Sequence, residues 1–430
     1  MAGKSIFKKI QADWLVTLLY NIGIRIYGLV AVIISPWKRK AKLWVEGRKN
    51  WQEKLAAALG RDDKVIWFHC ASLGEFEQGR PVIEEIRSRL PDCKILLTFF
   101  SPSGYEKRKD YTGADYVMYL PLDTKRNAKN MLDMLSIEMV FFIKYEFWYH
   151  FLHQLSIRNI PAYLASGNFR PGQLFFRWYG RWYRRLLAFF THIFVQNEDS
   201  MDLLRGIGSK HVSVAGDTRF DRVYELVQTP FIHPALEDFG KGSTLIVAGS
   251  TWEKDEQLLS EAFGELPSDV RWIIAPHELS ESHIRSLQER FPGSVLYTEL
   301  KEEVPKDCRV VLVNTIGKLS YLYRYGRLAY IGGGFGKGIH NILEAATYGL
   351  PVIFGPEHKK FAEAVELSIL GAAFPIGNES ELLFTIRQQL ENPKLLKTTS
   401  QIAANFVSER VGATLLIADK VCIKSETKLL

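Results

Sequence analysis

From Val65 onward short apolar runs alternate with helical stretches, and this alternation limits the possible folds more than any other feature of the chain. Val65–His69, Lys94–Phe99, Tyr116–Leu120, Met139–Ile143, Ala162–Ala165 and His192–Gln196 read as strands, and the series ends near Val214. Strands separated by helices can pair in parallel, because each crossover helix covers one face of the sheet. Residues 217–243 interrupt the rhythm with Pro230, Pro234, Gly240 and mixed charge, so they read as a linker. A second series follows: Thr244–Gly249, Arg271–Ala275, Ser294–Tyr297, Arg309–Asn314, Leu328–Gly332, Pro351–Phe354 and Ala372–Pro375. The expected organisation is an N-terminal segment 1–50, an α/β domain 51–216, the linker 217–243, and a second α/β domain 244–430. With 430 residues, 47% of them hydrophobic, there is material for two cores. Ligands of such sheets bind outside the carboxyl ends of the strands, so two facing halves would share a site in the cleft between them.

Tyr330–Pro356 runs through strand, glycine loop, helix and strand in one pass. Gly332, Gly333, Gly334, Gly336 and Gly338 lack side chains, so the backbone there can adopt positive φ and approach a phosphate closely. Asn341 and Glu344, three apart, are expected on one helical face beside the loop. No register of the glycines gives G-x-G-x-x-G, and Gly336-Lys337 is followed by Gly338 where a P-loop needs Ser or Thr. A plain dinucleotide enzyme or NTPase is thereby disfavoured.

Cys70, Cys93, Cys308 and Cys422 show no C-x-x-C spacing, which fits a reducing compartment with neither a zinc site nor a disulfide framework. The net charge of +7 matters less than where the cations lie. Trp14–Trp37 is apolar over the roughly 20 residues a membrane helix needs, yet it contains Asn21 and Arg25. A mid-helix arginine costs about 2.5–3.5 kcal/mol on insertion scales, which leaves a span, an interfacial helix and a buried soluble helix all open. Lys38, Arg39, Lys40, Lys42, Arg48 and Lys49 follow the run, outnumber the lysines before it, and would hold the domains on the cytoplasmic side or meet anionic head groups.

Further segments, most of them at strand ends, carry candidate chemistry. His69–Glu77 follows the first strand and opens a helix, placing Ser72, Gly74 and Glu75 where a carboxylate can take a proton from an attacking hydroxyl. Glu146, just past Met139–Ile143, is a second carboxylate at a strand's carboxyl end. Gly249–Glu256 offers Ser250 and Thr251 to a phosphate or as helix caps, while Ala275-Pro276-His277 and Thr315–Leu319 end two further strands. Asn168–Asn197 holds no acidic residue. There Arg177, Arg181 and Arg184 are expected on one face of a helix, with Phe175, Tyr179, Trp182 and Leu186 on another. Such a surface suits single-stranded nucleic acid or a phosphorylated lipid, and the apolar N-terminus favours lipid. A nucleic-acid-binding module would also leave Glu75 and the glycine loop unused. The histidines, His277 among them, do not have metal-ligand spacing, and no metal is expected.

These segments together resemble the 3-deoxy-D-manno-octulosonic acid (Kdo) transferases of lipopolysaccharide assembly. The resemblance covers nearly the whole chain and rests on Ser72–Glu75, Tyr119–Asp123, Tyr145–Trp148, Val195–Asp199, Gly249–Thr251, Ala275–His277, His340–Glu344 and Gly355-Pro356. It implies a GT-B fold of two Rossmann-like doubly wound domains and a metal-independent, inverting transfer of Kdo from CMP-Kdo to the lipid A precursor, lipid IVA. The enzyme would act at the inner membrane without a cofactor. By resemblance Glu75 is the general base. Ser250, Thr251, Pro276, His277, Gly317, Lys318, Gly334, Asn341 and Glu344 would contact the donor, and Ser72, Gly74, Glu146, Arg177, Arg181 and Arg184 the acceptor. The chain departs from the family at His277, where arginine is usual, and at Lys144 and Lys318, where glutamate is common. Lys318 or Arg219 could restore the charge missing at His277. The alternative within the same fold is a UDP- or GDP-sugar donor with a lipid-linked acceptor.

Overall fold

The computed structural model describes residues 2–300, 304–305 and 307–426, with side chains from Trp14 to Cys422 within those ranges. The chain forms two compact units, residues 1–222 with 412–430, and residues 223–411.

The first unit is built on a seven-stranded sheet with β1 (Lys64–Cys70), β2 (Lys94–Phe99), β3 (Tyr116–Tyr119), β4 (Ser136–Ile143), β5 (Ala162–Gly167), β6 (His192–Val195) and β7 (Val212–Val214). Its spatial order is β3-β2-β1-β4-β5-β6-β7, and every pairing is parallel. Such a sheet is covered on both faces, which explains the unbroken apolar runs. Along β1 the side chains alternate between two cores: Val65 and Trp67 enter one, Ile66, Phe68 and Cys70 the other. Phe68 stacks on Phe141 of β4 with ring centroids 4.7 Å apart. Each such fully buried side chain contributes about 1.5–3 kcal/mol.

The second unit repeats the plan with β8 (Thr244–Thr251), β9 (Val270–Pro276), β10 (Val295–Leu296), β11 (Val310–Leu312), β12 (Leu328–Ile331), β13 (Val352–Phe354) and β14 (Ala373–Pro375). The order is β10-β11-β9-β8-β12-β13-β14, again parallel throughout. In each sheet the strand order reverses beside the first strand, between β1 and β4 and between β8 and β12. These are the topological switch points, where crossovers diverge to opposite faces and leave a crevice for ligands.

Two boundaries differ from the sequence reading. Residues 217–243 fold largely as helices, Thr218–Gln228 and Pro234–Gly240, and Pro234 opens the second helix rather than breaking the chain. The second domain also does not run on to residue 430. Ile417, Ala418 and Val421, on the helix Ala413–Glu426, lie in the first domain's core. Asp221 fixes the start of that helix by accepting from Gly412 N, Thr414 N and the Thr414 hydroxyl at 2.5, 2.8 and 2.7 Å. Contiguous sequence gives no sign of a segment that returns to an earlier core.

Candidate functional site

The first switch point places a pair of carboxylates. Glu75 stands in the first turn of the helix Leu73–Arg89, directly after β1, and its carboxylate accepts from Ala71 N at 2.5 Å. Glu146 follows β4 and is buried. Burial pushes the Glu75 carboxyl up to about 7 and the charge of Glu146 adds to this, while the Ala71 N–H and Lys144 pull it back only in part. The helix N-terminus therefore does not keep Glu75 in the ordinary carboxylate range.

Glu146 is held from behind. His69 Nε2 lies 3.0 Å and Trp148 Nε1 2.6 Å from its Oε2, and His69 Nδ1 lies 2.8 Å from Thr98 Oγ1. Thr98 Oγ1 also accepts from Trp67 Nε1 at 2.8 Å. A carboxylate accepts from His69 Nε2–H, and the Thr98 hydroxyl bridges the Trp67 indole, His69 Nδ1 and the Phe68 carbonyl, the last at 3.3 Å. The chain Trp67–Thr98–His69–Glu146 thus fixes a charge beside Glu75. His69 and Thr98 face each other in adjacent strands and are both fully buried. A polar residue at matching places in two apolar runs, VIWFHC and KILLTF, was the available sign of this network, and the sequence reading passed over it.

Gly74 is exposed, and a Cβ there would meet nothing within 4 Å, so packing does not demand glycine beside Glu75. Ser72 caps the helix position without a side-chain hydrogen bond to it. Lys144 takes φ 67°, a left-handed conformation costing a side chain about 1–2 kcal/mol, at the turn that leads from β4 to Glu146.

At the second switch point Ser250 has φ 55° in an irregularity between Gly249 and Thr251, which brings the end of β8 against the glycine loop. Here the glycines serve the fold more than a ligand. A Cβ on Gly332 would lie 2.3 Å from Ser250 O, and one on Gly334 2.6 Å from the Gly355 backbone, while Gly333 takes φ 90°. Asp255 ties the two loops, accepting from Trp252 N at 2.9 Å, Gly333 N at 2.8 Å and the Tyr330 hydroxyl at 2.8 Å. Thr251 is buried and donates to Glu256 Oε1 at 3.0 Å, which occupies it structurally. The expected helix after the loop shrinks to Leu343–Ala346, so Asn341 precedes it rather than sharing its face with Glu344. The two still meet: Asn341 Nδ2 donates to Glu344 Oε1 at 3.2 Å, and Asn341 Oδ1 accepts from Leu343 N at 3.1 Å. Four residues make too short a helix to aim a useful dipole at an anion.

Residues 49–222 match the family model for 3-deoxy-D-manno-octulosonic-acid transferase (kdotransferase). The 3-deoxy-D-manno-octulosonic acid transferase of Aquifex aeolicus is 28% identical over 343 residues, covering 77% of this chain and 88% of that one. The corresponding transferase of Bordetella pertussis is 25% identical over 425 residues, 92% and 96% of the two chains. Over residues 49–222 and in these relatives the chain is thus similar to the Kdo transferases. Its fold is also that of UDP-GlcNAc 2-epimerase from Neisseria meningitidis, with a TM-score of 0.59 at 17% identity over 84% of this chain and 99% of that one, which sets it in the GT-B class.

The residues that the Kdo transferase resemblance assigned to the donor gather at the carboxyl edge of the second sheet. Pro276 ends β9, and the His277 ring lies 4.5 Å from Trp252 and 4.7 Å from His340, in a three-ring stack. Trp252 Nε1 donates to His340 Nε2 at 3.1 Å, and burial, with His277 alongside, holds His340 below the usual histidine range. Gly317, at φ 81°, and Lys318 precede the helix Leu319–Leu322. Arg219 is paired with Asp217 at 2.7 Å in the first domain, so its charge is already engaged.

The arginine-aromatic segment is not one helix. Leu174–Phe176 forms a 3-10 turn and the helix starts only at Arg181, because the chain doubles back at Gly180, where a Cβ would fall 1.8 Å from Leu174 O. Phe175, Trp182 and Leu186 are core residues, and Arg184 donates to Arg177 O at 3.0 Å. Arg177 and Arg181 are exposed.

Proposed function

We propose that the chain is an inverting glycosyltransferase that moves Kdo from CMP-Kdo to a hydroxyl of the lipid A precursor, lipid IVA, on the cytoplasmic side of the inner membrane. The observation that carries this reading is the Glu75 carboxyl, raised to about 7 at a switch point and flanked by the held charge of Glu146. A general base works best when its pKa lies near the operating pH. In the step itself the acceptor oxygen bonds to the anomeric carbon of Kdo as the bond from that carbon to the CMP phosphate oxygen breaks. The bonding electrons leave with CMP, and the acceptor proton passes to Glu75.

The open space over Gly74 leaves room for the acceptor, and Arg177 and Arg181 are available to its phosphates. On the donor side Lys318, Ser250 and the Asn341–Glu344 pair would meet the nucleotide. The reading includes no metal, so chelation with EDTA should leave the rate unchanged. It requires the Glu75 site and the glycine-loop site to act on one pair of substrates.

The test is to incubate the purified chain with CMP-Kdo and a phosphorylated, acylated glucosamine disaccharide and weigh the product by mass spectrometry. Addition of Kdo from CMP-Kdo, and none of a sugar from UDP- or GDP-sugars, is expected. Product from a UDP- or GDP-sugar alone would select the alternative donor.

A further inference from the structure

The N-terminal helix Ala2–Ile34 is fastened along one face to the first domain. Trp182 Nε1 donates to Thr17 Oγ1 at 3.0 Å, the Tyr20 hydroxyl to Asp123 Oδ2 at 2.5 Å, and His150 Nε2 lies 2.5 Å from Asn21 Oδ1. Further along, a Cβ on Gly28 would lie 2.9 Å from Leu122 Cδ2, and Ala31 is buried. Residues 17, 20, 21, 28 and 31 form one stripe at helical spacing. Asn21, which interrupts the apolar run, is thus a fastening point. Asp123 is itself buried, and also accepts from His150 N and Phe151 N at 3.0 Å each.

The opposite face is apolar and exposed, with Leu15, Leu19, Ile22, Ile26, Leu29 and Ile33 all uncovered. Both ends of this strip carry the residues that favour a membrane interface. Trp37 is 76% exposed and is followed by exposed Lys38, Arg39 and Lys40. At the other end, the bond from Trp182 to Thr17 sets the preceding turn alongside, with Trp178 90% exposed next to Arg177 and Arg181. Aromatic and basic residues framing an apolar strip fit head groups over acyl chains, and the cations select anionic lipid.

If Trp14–Ile34 crossed the bilayer with these contacts intact, Asp123, His150 and the sheet behind them would sit at hydrocarbon depth. If it crossed without them, buried polar groups on both sides would lose their partners, which is unfavourable away from water. We propose that the helix stays fastened to the first domain through Tyr20–Asp123 and Asn21–His150 and lies in the plane of an anionic phospholipid surface as a one-sided anchor, not a span. This sharpens the membrane part of the functional reading, and its test does not depend on sugar transfer.

Full-length protein carrying Gly28→Cys with Leu122→Cys is bound to vesicles of phosphatidylethanolamine and phosphatidylglycerol and treated with a short bifunctional thiol reagent. An intrachain crosslink as complete on vesicles as in detergent is expected, with at least tenfold less for Ile26→Cys with Leu122→Cys. A crosslink formed in detergent but lost on vesicles overturns the proposal, and so does an interchain crosslink at Ile26→Cys, which would mean that a second copy covers the strip. Should the Cys variants misfold, the unsubstituted chain with a protease-cleavable tag ahead of Met1 gives the same decision. Added to sealed vesicles from outside, the tag should be fully cut, whereas a protected tag means a span. Equal binding to purely zwitterionic vesicles would contradict the anionic preference.

Discussion

Glu75 and Glu146 have the same side chain, and their surroundings give them different work. Glu146 receives two N–H donors, which fix a charge, while Glu75 is desolvated next to that charge and keeps its proton to about pH 7. Replacing Glu146 by Gln removes the charge, so the acid limb of the rate profile should move to lower pH. The move is partial, because burial, the larger cause, stays; an unmoved or raised limb would contradict the pairing. The raised value also has a thermodynamic sign. The folded chain binds the Glu75 proton up to about 7 and the unfolded chain only to about 4.5, so folding stability falls as pH rises through that window. Glu75→Gln should therefore be more stable than wild type by about 1–3 kcal/mol above pH 7. Denaturant titration should show the advantage fading toward pH 4.5. Both carboxylates were legible in the sequence, because each follows an apolar run. Their inequality was not, since it depends on His69, Thr98 and Trp148 meeting across strands.

The glycine loop shows how an element can be located correctly and explained wrongly. Its place after β12 followed from the strand pattern, but Gly332 and Gly334 are glycine because neighbouring backbone lies against them. Gly334→Ala should accordingly lower stability by about 1–3 kcal/mol through overpacking. Gly336→Ala should be nearly neutral, because the nearest atom to a Cβ there is Gly333 O at 3.7 Å. Thermal melts of the two variants check the contrast, and equal losses would contradict it. The arginine-aromatic segment failed for a related reason. Periodicity saw one amphipathic helix, and the reversal at Gly180 depends on contact with Leu174, which no local pattern records.

At the scale of the whole molecule, two parallel sheets were readable from the spacing of apolar runs alone, down to most strand boundaries. The switch points followed only from strand order, which is a tertiary property. The C-terminal helix was misassigned because its partners, in the Leu73–Arg89 helix and the first sheet, lie more than 200 residues earlier. Ending the chain after Arg410 should therefore destabilise the first domain by uncovering Phe194, Tyr163 and their neighbours. The expected sign is faster proteolysis within residues 51–222, with an intact fragment from 223 to the new end at 410 surviving. The most direct measurement is the initial rate of Kdo transfer from CMP-Kdo to the acylated, phosphorylated disaccharide between pH 5 and 9, for wild type and Glu75→Gln. The wild type should turn over with an acid limb centred near pH 7, and Glu75→Gln should fall by about 10²–10⁴-fold with that limb gone. Undiminished turnover by Glu75→Gln, or no product from the wild type at any pH, would contradict it.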